Sequence, residues 1–177
     1  AYGFMMNIDG HWFYVLTLPT QKRTFVYDPD EDAWHNRESY QLGYWRASCY
    51  ESIFGINIVG DSESNKLGQL SRSVYQEYGG HWVARRVSGV FAAKNKLVSA
   101  NRLELTFPSG QVPQNITHQA RLRWSDNKGL TYGNPMIKEI GTAGAGNQRL
   151  VWWSMGSFRQ RVYELSISTA ANRDLID

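Results

Sequence analysis

The feature that most constrains the fold of this chain is a strict alternation of apolar and polar side chains in its second half. Three segments, RLELTF, ARLRW and RVYELSI, place their large apolar residues at every second position: Leu103, Leu105 and Phe107; Ala120, Leu122 and Trp124; and Tyr163, Leu165 and Ile167. This period indicates half-buried antiparallel strands. No segment sustains a helical period over a dozen residues. The sequence therefore predicts an antiparallel β-sandwich over residues 65–177, with two apolar faces pressed together.

The first half of the chain contains short runs of aromatic and β-branched residues separated by turns. Residues 3–8, 11–18 and 23–27 are predicted strands, and YWRASCYESIFGINIVGD predicts two more around Gly55. Short strands in succession form a meander, from which propeller blades are built. We predict that residues 1–64 are a propeller-like β-meander, the last blade or blades of a longer protein. The opening AYGFMMNIDG resembles mid-domain sequence and agrees with that expectation.

The charge changes sign along the chain. Residues 1–64 hold 4 basic and 9 acidic side chains, a balance of −5, whereas residues 65–177 hold 15 basic and 7 acidic ones, a balance of +8. Such a change supports a division into two modules. The basic half would face nucleic acid or an acidic protein surface, or be a solvated surface rich in arginine.

The residues that usually carry catalysis or bind metals do not form a recognisable site in the sequence. The single cysteine, Cys49, excludes an internal disulfide and a cysteine metal cluster, and its neighbours predict a small hydrophobe in a strand. The four histidines lack metal-ligand spacing. The triplet Asp28, Asp30 and Asp32 resembles the start of a calcium loop, but the later loop positions do not match, so an acidic hairpin turn is predicted. We therefore predict no catalytic residue, cofactor or metal, and no membrane span.

Two loop motifs are predicted to be structural. GTAGAG (141–146) lacks the Lys-Ser/Thr of a phosphate loop and is predicted to be a flexible connection. SDNKGLTY (125–132) is similar to the Asp-box hairpin turn of sialidases and other propellers, with Asn127 in place of Asp and Tyr132 in place of Trp. A single box predicts a hairpin and gives no support to hydrolysis.

Arginines are the candidate binding residues of the second half. They could contact nucleic-acid phosphates or a protein partner, and they are Arg85, Arg86, Arg121, Arg123, Arg159 and Arg161. Interleaved tryptophans could stack bases, but their positions favour core packing: Trp82, Trp124, Trp152 and Trp153.

The ordered succession of several stretches resembles one known family. These stretches are GHWFYVLTLPTQKRTFVYD, VGDSESNKLGQLSRSVYQEYG, WVARRVSG, RLELTFPSG, RLRWSDNKGLTYGNP and EIGTAGAGNQRLVWWSMGSFRQRVYELSIS. They are similar to the C-terminal portion of the packaged-DNA stabilisation proteins, or tail accessory factors, which form the tail hub of short-tailed bacteriophages. The family's proteins are much longer than this chain.

The resemblance implies a structural virion protein made in the host cytoplasm. It would dock below the portal, form a homo-oligomeric ring between the portal or adaptor ring and the tail needle or fibre proteins, and help to retain packaged DNA, with non-specific DNA contact. Two alternatives remain open from the residues. One is a carbohydrate- or receptor-binding β module of a phage tail, which exposed tryptophans in one groove would favour. The other is a propeller-type glycosidase, which requires two carboxylates converging in a cleft. Its candidate carboxylates, Glu77, Glu104 and Glu164, are scattered among the predicted strands.

Overall fold

The computed structural model describes residues 1–71, 73–80, 82–107, 117–141 and 146–169. The chain divides into unit 1, Ala1–Trp82, and unit 2, Val83–Asp177. The all-β class predicted from the sequence is confirmed: the described residues form sixteen strands, and their one helical element is a 3-10 turn at Pro19–Gln21. Within the same residues, no helix has the length and apolarity needed to cross a bilayer.

Unit 1 consists of two antiparallel sheets. Its strands are β1 (Tyr2–Ile8), β2 (His11–Leu18), β3 (Arg23–Asp28), β4 (Ala33–Asn36), β5 (Ala47–Ile53), β6 (Ile56–Asp61) and β7 (Leu67–Leu70). The strands β1 to β4 form one meander, and β5 to β7 form the other sheet. The predicted strands of the first half are therefore confirmed. Since β7 pairs with β6, the first unit continues past the boundary expected at residues 64/65.

Two tight turns explain why these hairpins form. Asp9 and Gly10 connect β1 to β2 with φ angles of 53° and 92°, and Phe54 and Gly55 connect β5 to β6 with φ angles of 53° and 75°. Two consecutive positive φ angles are typical of the hairpin turn whose twist matches that of the strands, and glycine adopts them without a steric penalty.

The core of unit 1 lies between the facing sides of its two sheets. It contains the buried residues Met6, Val15, Val26, Trp45, Ala47 and Val59. Two hydrogen bonds tie polar groups across this core: the Trp45 amide donates to Thr24 Oγ1 at 2.9 Å, and the Tyr50 hydroxyl donates to the Asn7 carbonyl at 2.7 Å. A four-stranded antiparallel meander agrees with a propeller-like blade, but the propeller itself stays a prediction.

A bidentate ion pair holds the segment before β5 to the end of β6. Arg46 donates through Nε and Nη2 to the two carboxylate oxygens of Asp61, at 2.6 and 2.5 Å. The Asp61 side chain is fully buried, and it also accepts hydrogen bonds from Ser64 Oγ and the Glu63 amide. The hydrogen bond from Arg46, followed by those from Ser64 and Glu63, lowers the pKa of Asp61 from 3.8 to about 2.

The described residues of unit 2 form nine strands, five of which belong to one sheet. The strands are β8 (Ala84–Val87), β9 (Phe91–Ala92), β10 (Val98–Ser99), β11 (Arg102–Phe107), β12 (His118–Ser125), β13 (Met136–Gly141), β14 (Gln148–Trp153), β15 (Ser157–Phe158) and β16 (Gln160–Ile167). A five-stranded sheet has the order β13-β12-β16-β8, with β9 added on β16. Separate antiparallel pairs join β11 to β14 and β10 to β15.

The core of unit 2 lies between the five-stranded sheet and the β11–β14 pair. Both layers contribute to its buried cluster, which contains Phe107, Ala120, Leu122, Ile140, Leu150, Trp152, Met155 and Ile167. Leu103, Leu105, Trp124, Tyr163 and Leu165 pack against this cluster. The apolar faces predicted for β11, β12 and β16 from their alternation are therefore confirmed.

A buried arginine completes the interior of unit 2. The Arg161 side chain is 2% exposed and donates to both carboxylate oxygens of Asp126, at 2.6 and 2.9 Å, and to the Met155 carbonyl at 2.7 Å. The ring of Phe158 lies 4.4 Å from its guanidinium carbon. The prediction that Arg161 contacts DNA or a partner is therefore corrected. Its position two residues before Tyr163 places it on the core face of β16, where Asp126 compensates its charge.

We expect Asp126→Ala to destabilise the chain by about 2–3 kcal/mol, because it leaves the Arg161 cation buried without its carboxylate. The expected loss of stability is smaller than for a fully buried ion pair because the Asp126 side chain is half-exposed, so solvent screens the pair. Urea unfolding followed by tryptophan fluorescence measures the loss. The control Glu104→Ala breaks exposed pairs with Arg102 and Arg149 and should cost less than about 1 kcal/mol. Equal losses for the two variants would contradict the role given to Arg161.

The Arg46–Asp61 pair predicts a pH-dependent contribution to stability. Because the folded pKa of Asp61, about 2, is below its ordinary value of 3.8, the contribution is present above pH 4 and is lost as the pH falls toward 2. The stability gap between the natural chain and Asp61→Asn should therefore narrow by on the order of 1–2 kcal/mol between pH 5 and pH 2. Urea titrations at each pH measure the gap. Asp30→Asn, at an exposed pair with His11, is the control; a gap for Asp61→Asn that is independent of pH would refute the assignment.

Candidate functional site

The register of the five-stranded sheet brings three of the candidate arginines to one face. Arg121 of β12 pairs with Ser166 of β16, and Ser166 pairs with Arg85 of β8. Arg123, two residues after Arg121 in β12, pairs with Glu164. Residues paired across antiparallel strands share a face, as do residues two apart in one strand. Arg85, Arg121 and Arg123 therefore form one basic row on the face of the sheet opposite the core.

Within the basic row, Arg123 forms an ion pair with a buried carboxylate. Its Nε donates to Glu164 Oε1 at 2.8 Å, and its Nη2 lies 2.7 Å from the same oxygen. The Glu164 side chain is only 4% exposed, and the Tyr132 ring lies 4.7 Å from the guanidinium carbon. A buried carboxylate requires such a partner. Arg121 and Arg85 are exposed and give the row its outward charge.

Two further candidate arginines lie away from the basic row. Arg86 pairs with Leu165, so the register assigns it to the core side of the sheet, where its position on the edge strand leaves it exposed. Arg159 donates to the Asn95 carbonyl at 2.5 Å and is also exposed. The structure therefore assembles three of the six arginines, separates two, and buries Arg161.

The tryptophans divide between the interior and the surface. Trp152 is fully buried and Trp124 packs against the core, as predicted. Trp153 follows Trp152 in β14 and is 58% exposed, since consecutive strand residues point to opposite faces. Trp82 is also partly exposed, at 37%. The prediction that Trp153 packs in the core is therefore wrong. Its ring lies at the surface, with the guanidinium carbon of Arg102 5.3 Å from the ring centroid.

The Asp-box-like segment forms the predicted turn between β12 and β13. Ser125 Oγ donates to Asn127 Oδ1 at 2.7 Å and accepts from the Gly129 amide at 2.9 Å. Asn127 Oδ1 also accepts from the Thr131 amide at 2.9 Å, while Asn127 Nδ2 donates to Thr131 Oγ1 at 2.7 Å. The amide of Asn127 thus supplies the acceptor that an Asp would supply, together with an added donor. The departure from the motif preserves the turn.

The β3–β4 turn groups three potential metal ligands that the sequence reasoning did not group. The ligand atoms of Asp28, Glu31 and His35 lie within 4.8 Å of one another. Asp28 Oδ1 accepts the amides of Asp30 at 2.9 Å and Glu31 at 3.4 Å, which confirms the predicted acidic turn. His35 enters the group because it lies across the hairpin in β4, a proximity that sequence spacing does not show. The Asp30 carboxylate contacts His11 at 2.9 Å.

The remaining sequence candidates are a cysteine and two glutamates that the structure describes, and a histidine and a loop that lie wholly or partly outside the described residues. Cys49 lies in a strand as predicted, but it is exposed and not packed as a small hydrophobe. Glu104 pairs with Arg102 and Arg149 in unit 2, as Glu164 pairs with Arg123. His81 and residues 142–145 of the GTAGAG loop lie outside the described residues.

Comparison with protein-family models matches residues 84–175 to the beta-sandwich of bacteriophage P22 Gp10. The match covers just over half of the chain and corresponds closely to unit 2. Comparison with curated proteins gave no match. The two facing layers of unit 2 agree with the matched description. This chain therefore belongs to the bacteriophage P22 Gp10 beta-sandwich family.

Proposed function

We propose that this chain is a non-enzymatic structural component of the tail hub of a short-tailed bacteriophage, and that it docks below the portal and helps to retain packaged DNA. The observation that carries the proposal is the family match over residues 84–175. Membership of this family supports a structural part of a phage tail, located in the virion. Its expected partners are other virion proteins, and we expect the chain to act in an oligomeric ring.

An exposed aromatic face on unit 1 supports a role in assembly. Trp34 pairs with Tyr27, and Tyr27 pairs with Tyr14, so all three share one face of the β1–β4 sheet. Trp12 lies on the same face two residues before Tyr14. Trp12 and Trp34 are 54% and 57% exposed. Exposed apolar patches of this kind mark protein interaction sites, where aromatic residues are enriched. We call the surface formed by these four residues the aromatic face.

The charged groups of unit 2 also favour a structural role over hydrolysis. A glycosidase needs two carboxylates that face a common cleft. Of the three glutamates considered for this role from the sequence, Glu77, Glu104 and Glu164, the two in unit 2 form ion pairs with arginines instead. Glu164 is also buried beneath Arg123. These contacts give both unit 2 carboxylates a structural role, which supports the proposal that unit 2 is not an enzyme.

A phage that lacks the gene for this chain should package DNA and then lose it, because the proposed hub no longer closes the portal. DNase sensitivity of packaged heads measures the loss. Supplying the natural protein or Phe54→Ser, a control at a 99% exposed hairpin tip, should restore retention. Supplying the double variant Trp12→Ser/Trp34→Ser should not, because the aromatic face would no longer dock. Infectious, DNA-filled particles without the gene would refute the proposed function.

The basic row gives a separate test of DNA contact. If Arg121 meets a phosphate, Arg121→Gln should lower the slope of log K against log salt by about 0.9 for duplex DNA. Fluorescence anisotropy with a labelled duplex across a salt series measures this slope. Arg149→Gln, which removes an exposed arginine paired with Glu104, is the matched control and should leave the slope unchanged. An unchanged slope for Arg121→Gln would exclude a phosphate contact at this residue and leave an acidic protein surface or a solvated surface.

A further inference from the structure

Unit 1 contains a cavity that the proposed tail function does not use. It has a volume of about 320 Å³ and lies against the side of the β5–β7 sheet that carries Val59 and Gly68. The described residues of its lining that are charged or aromatic are Arg37, Glu38, Trp45, Arg46, Glu77, Tyr78 and Trp82. The volume is at the lower end of the range of ligand pockets, roughly 300–1,000 Å³, and suits a single ring.

Arg37 brings a guanidinium group to the lining of this cavity. Its guanidinium carbon lies 3.9 Å from the centroid of the Trp45 ring. Its guanidinium has no hydrogen-bond or ion-pair partner among the residues that the structure describes. Burial lowers the pKa of Arg37 to about 10, and the negative charge of Glu77 opposes that shift. A guanidinium presents five N–H donors, so a ligand that accepts hydrogen bonds would be stabilised here.

Glu77 adds a carboxylate, which accepts hydrogen bonds, to the same lining, and Tyr78 adds a hydroxyl group. Glu77 Oε1 accepts from Trp45 Nε1 at 3.1 Å, which leaves its carboxylate with further acceptor capacity. The Tyr78 hydroxyl is buried and has no hydrogen-bond partner in the described part of the chain. Arg46 differs from Arg37 because Asp61 already binds it in a bidentate manner. The lining thus offers a cation and an anion that can each bond a ligand, whereas the Tyr78 hydroxyl is buried against Gly68.

This combination selects between ligand classes. A simple carboxylate would satisfy Arg37 but would be repelled by Glu77, and an amine would be repelled by Arg37. A hydrocarbon would leave both the cation and the anion without a hydrogen-bonding ligand, at a cost in free energy. Neighbouring hydroxyl groups both donate and accept, so a polyhydroxylated ring can bond to the cation and the anion together. The partly exposed indole of Trp82 provides a flat apolar surface for the C–H face of such a ring.

We propose that this cavity binds one pyranose residue of a glycan, with Arg37 donating to its hydroxyl oxygens, Glu77 accepting from its hydroxyls, and Trp82 stacking against its ring. The proposal goes beyond the tail function and does not depend on it. A single sugar buries little surface, so we expect a dissociation constant of about 1–10 mM.

The test is a titration of the ¹⁵N-labelled chain with the methyl α-pyranosides of glucose, galactose and mannose, each to about 100 mM, well above the expected dissociation constant. The indole N–H signals of Trp45 and Trp82 should shift with saturation for at least one of the three. The signals of Trp12 and Trp34, on the aromatic face, should not shift. Acetate and ethylammonium are titrated in parallel as probes for a simple anion or cation site.

Two variants connect binding to the named residues. Arg37→Met keeps most of the side-chain volume but removes the donors, and it should weaken binding at least about tenfold. Trp82→Leu removes the flat indole surface and should weaken binding roughly five-fold, as measured from the Trp45 signal. Trp12→Ser is the control and should bind as the natural chain does. Because Trp82 is partly exposed, the Trp82→Leu result keeps the test decisive if Arg37→Met does not fold.

Three results would overturn the proposal. The first is the absence of saturable shifts with all three glycosides. The second is saturation by acetate or ethylammonium at concentrations equal to or lower than those of the sugars, which would identify a simple ion site. The third is unchanged sugar affinity in a folded Arg37→Met variant together with unchanged affinity in Trp82→Leu.

Discussion

The register of β12 is the constraint on which the rest of unit 2 depends. This strand pairs with β13 on one side and with β16 on the other, and it directs Ala120, Leu122 and Trp124 toward the core. A slip of one residue would exchange these side chains with Arg121 and Arg123. Hydrophobic burial therefore selects one register, and that register also determines where the arginines of the basic row emerge.

Ion pairs lie in the interior of this protein as well as at its surface. Arg161 and Glu164 are almost fully buried, and each has an opposite charge at hydrogen-bond distance, on Asp126 and Arg123. Such pairs compensate a desolvation penalty that an isolated charge would incur. Arg37 in unit 1 differs, since its cation stacks on Trp45 and has no carboxylate within hydrogen-bond distance among the described residues. Arg161 and Glu164 therefore stabilise the fold, whereas we assign the Arg37 charge to ligand binding.

Two exposed surfaces connect the fold with the proposed assembly role. The aromatic face of unit 1 presents large apolar side chains that are costly to leave in water, and the basic row of unit 2 presents exposed cations. The first suits desolvated protein contact, and the second suits long-range attraction to DNA or to an acidic partner. Both arise from strand alternation, because one side of each sheet is occupied by a core while the other remains outward.

The sequence by itself determined the all-β class, most strand positions, the apolar faces of β11, β12 and β16, and the Asp-box-like turn. These features depend on neighbours within one strand or hairpin, and local periodicity encodes them. The alternation around Tyr163 also contained the signal that Arg161 faces inward, although its charge suggested a surface contact. Only the tertiary structure decided the Asp126 partner of Arg161, the exposure of Cys49, the grouping of His35 with Asp28, and the cavity at Arg37. Each of these depends on segments distant in sequence, whose approach is set by strand pairing and core packing and cannot be obtained from residue spacing.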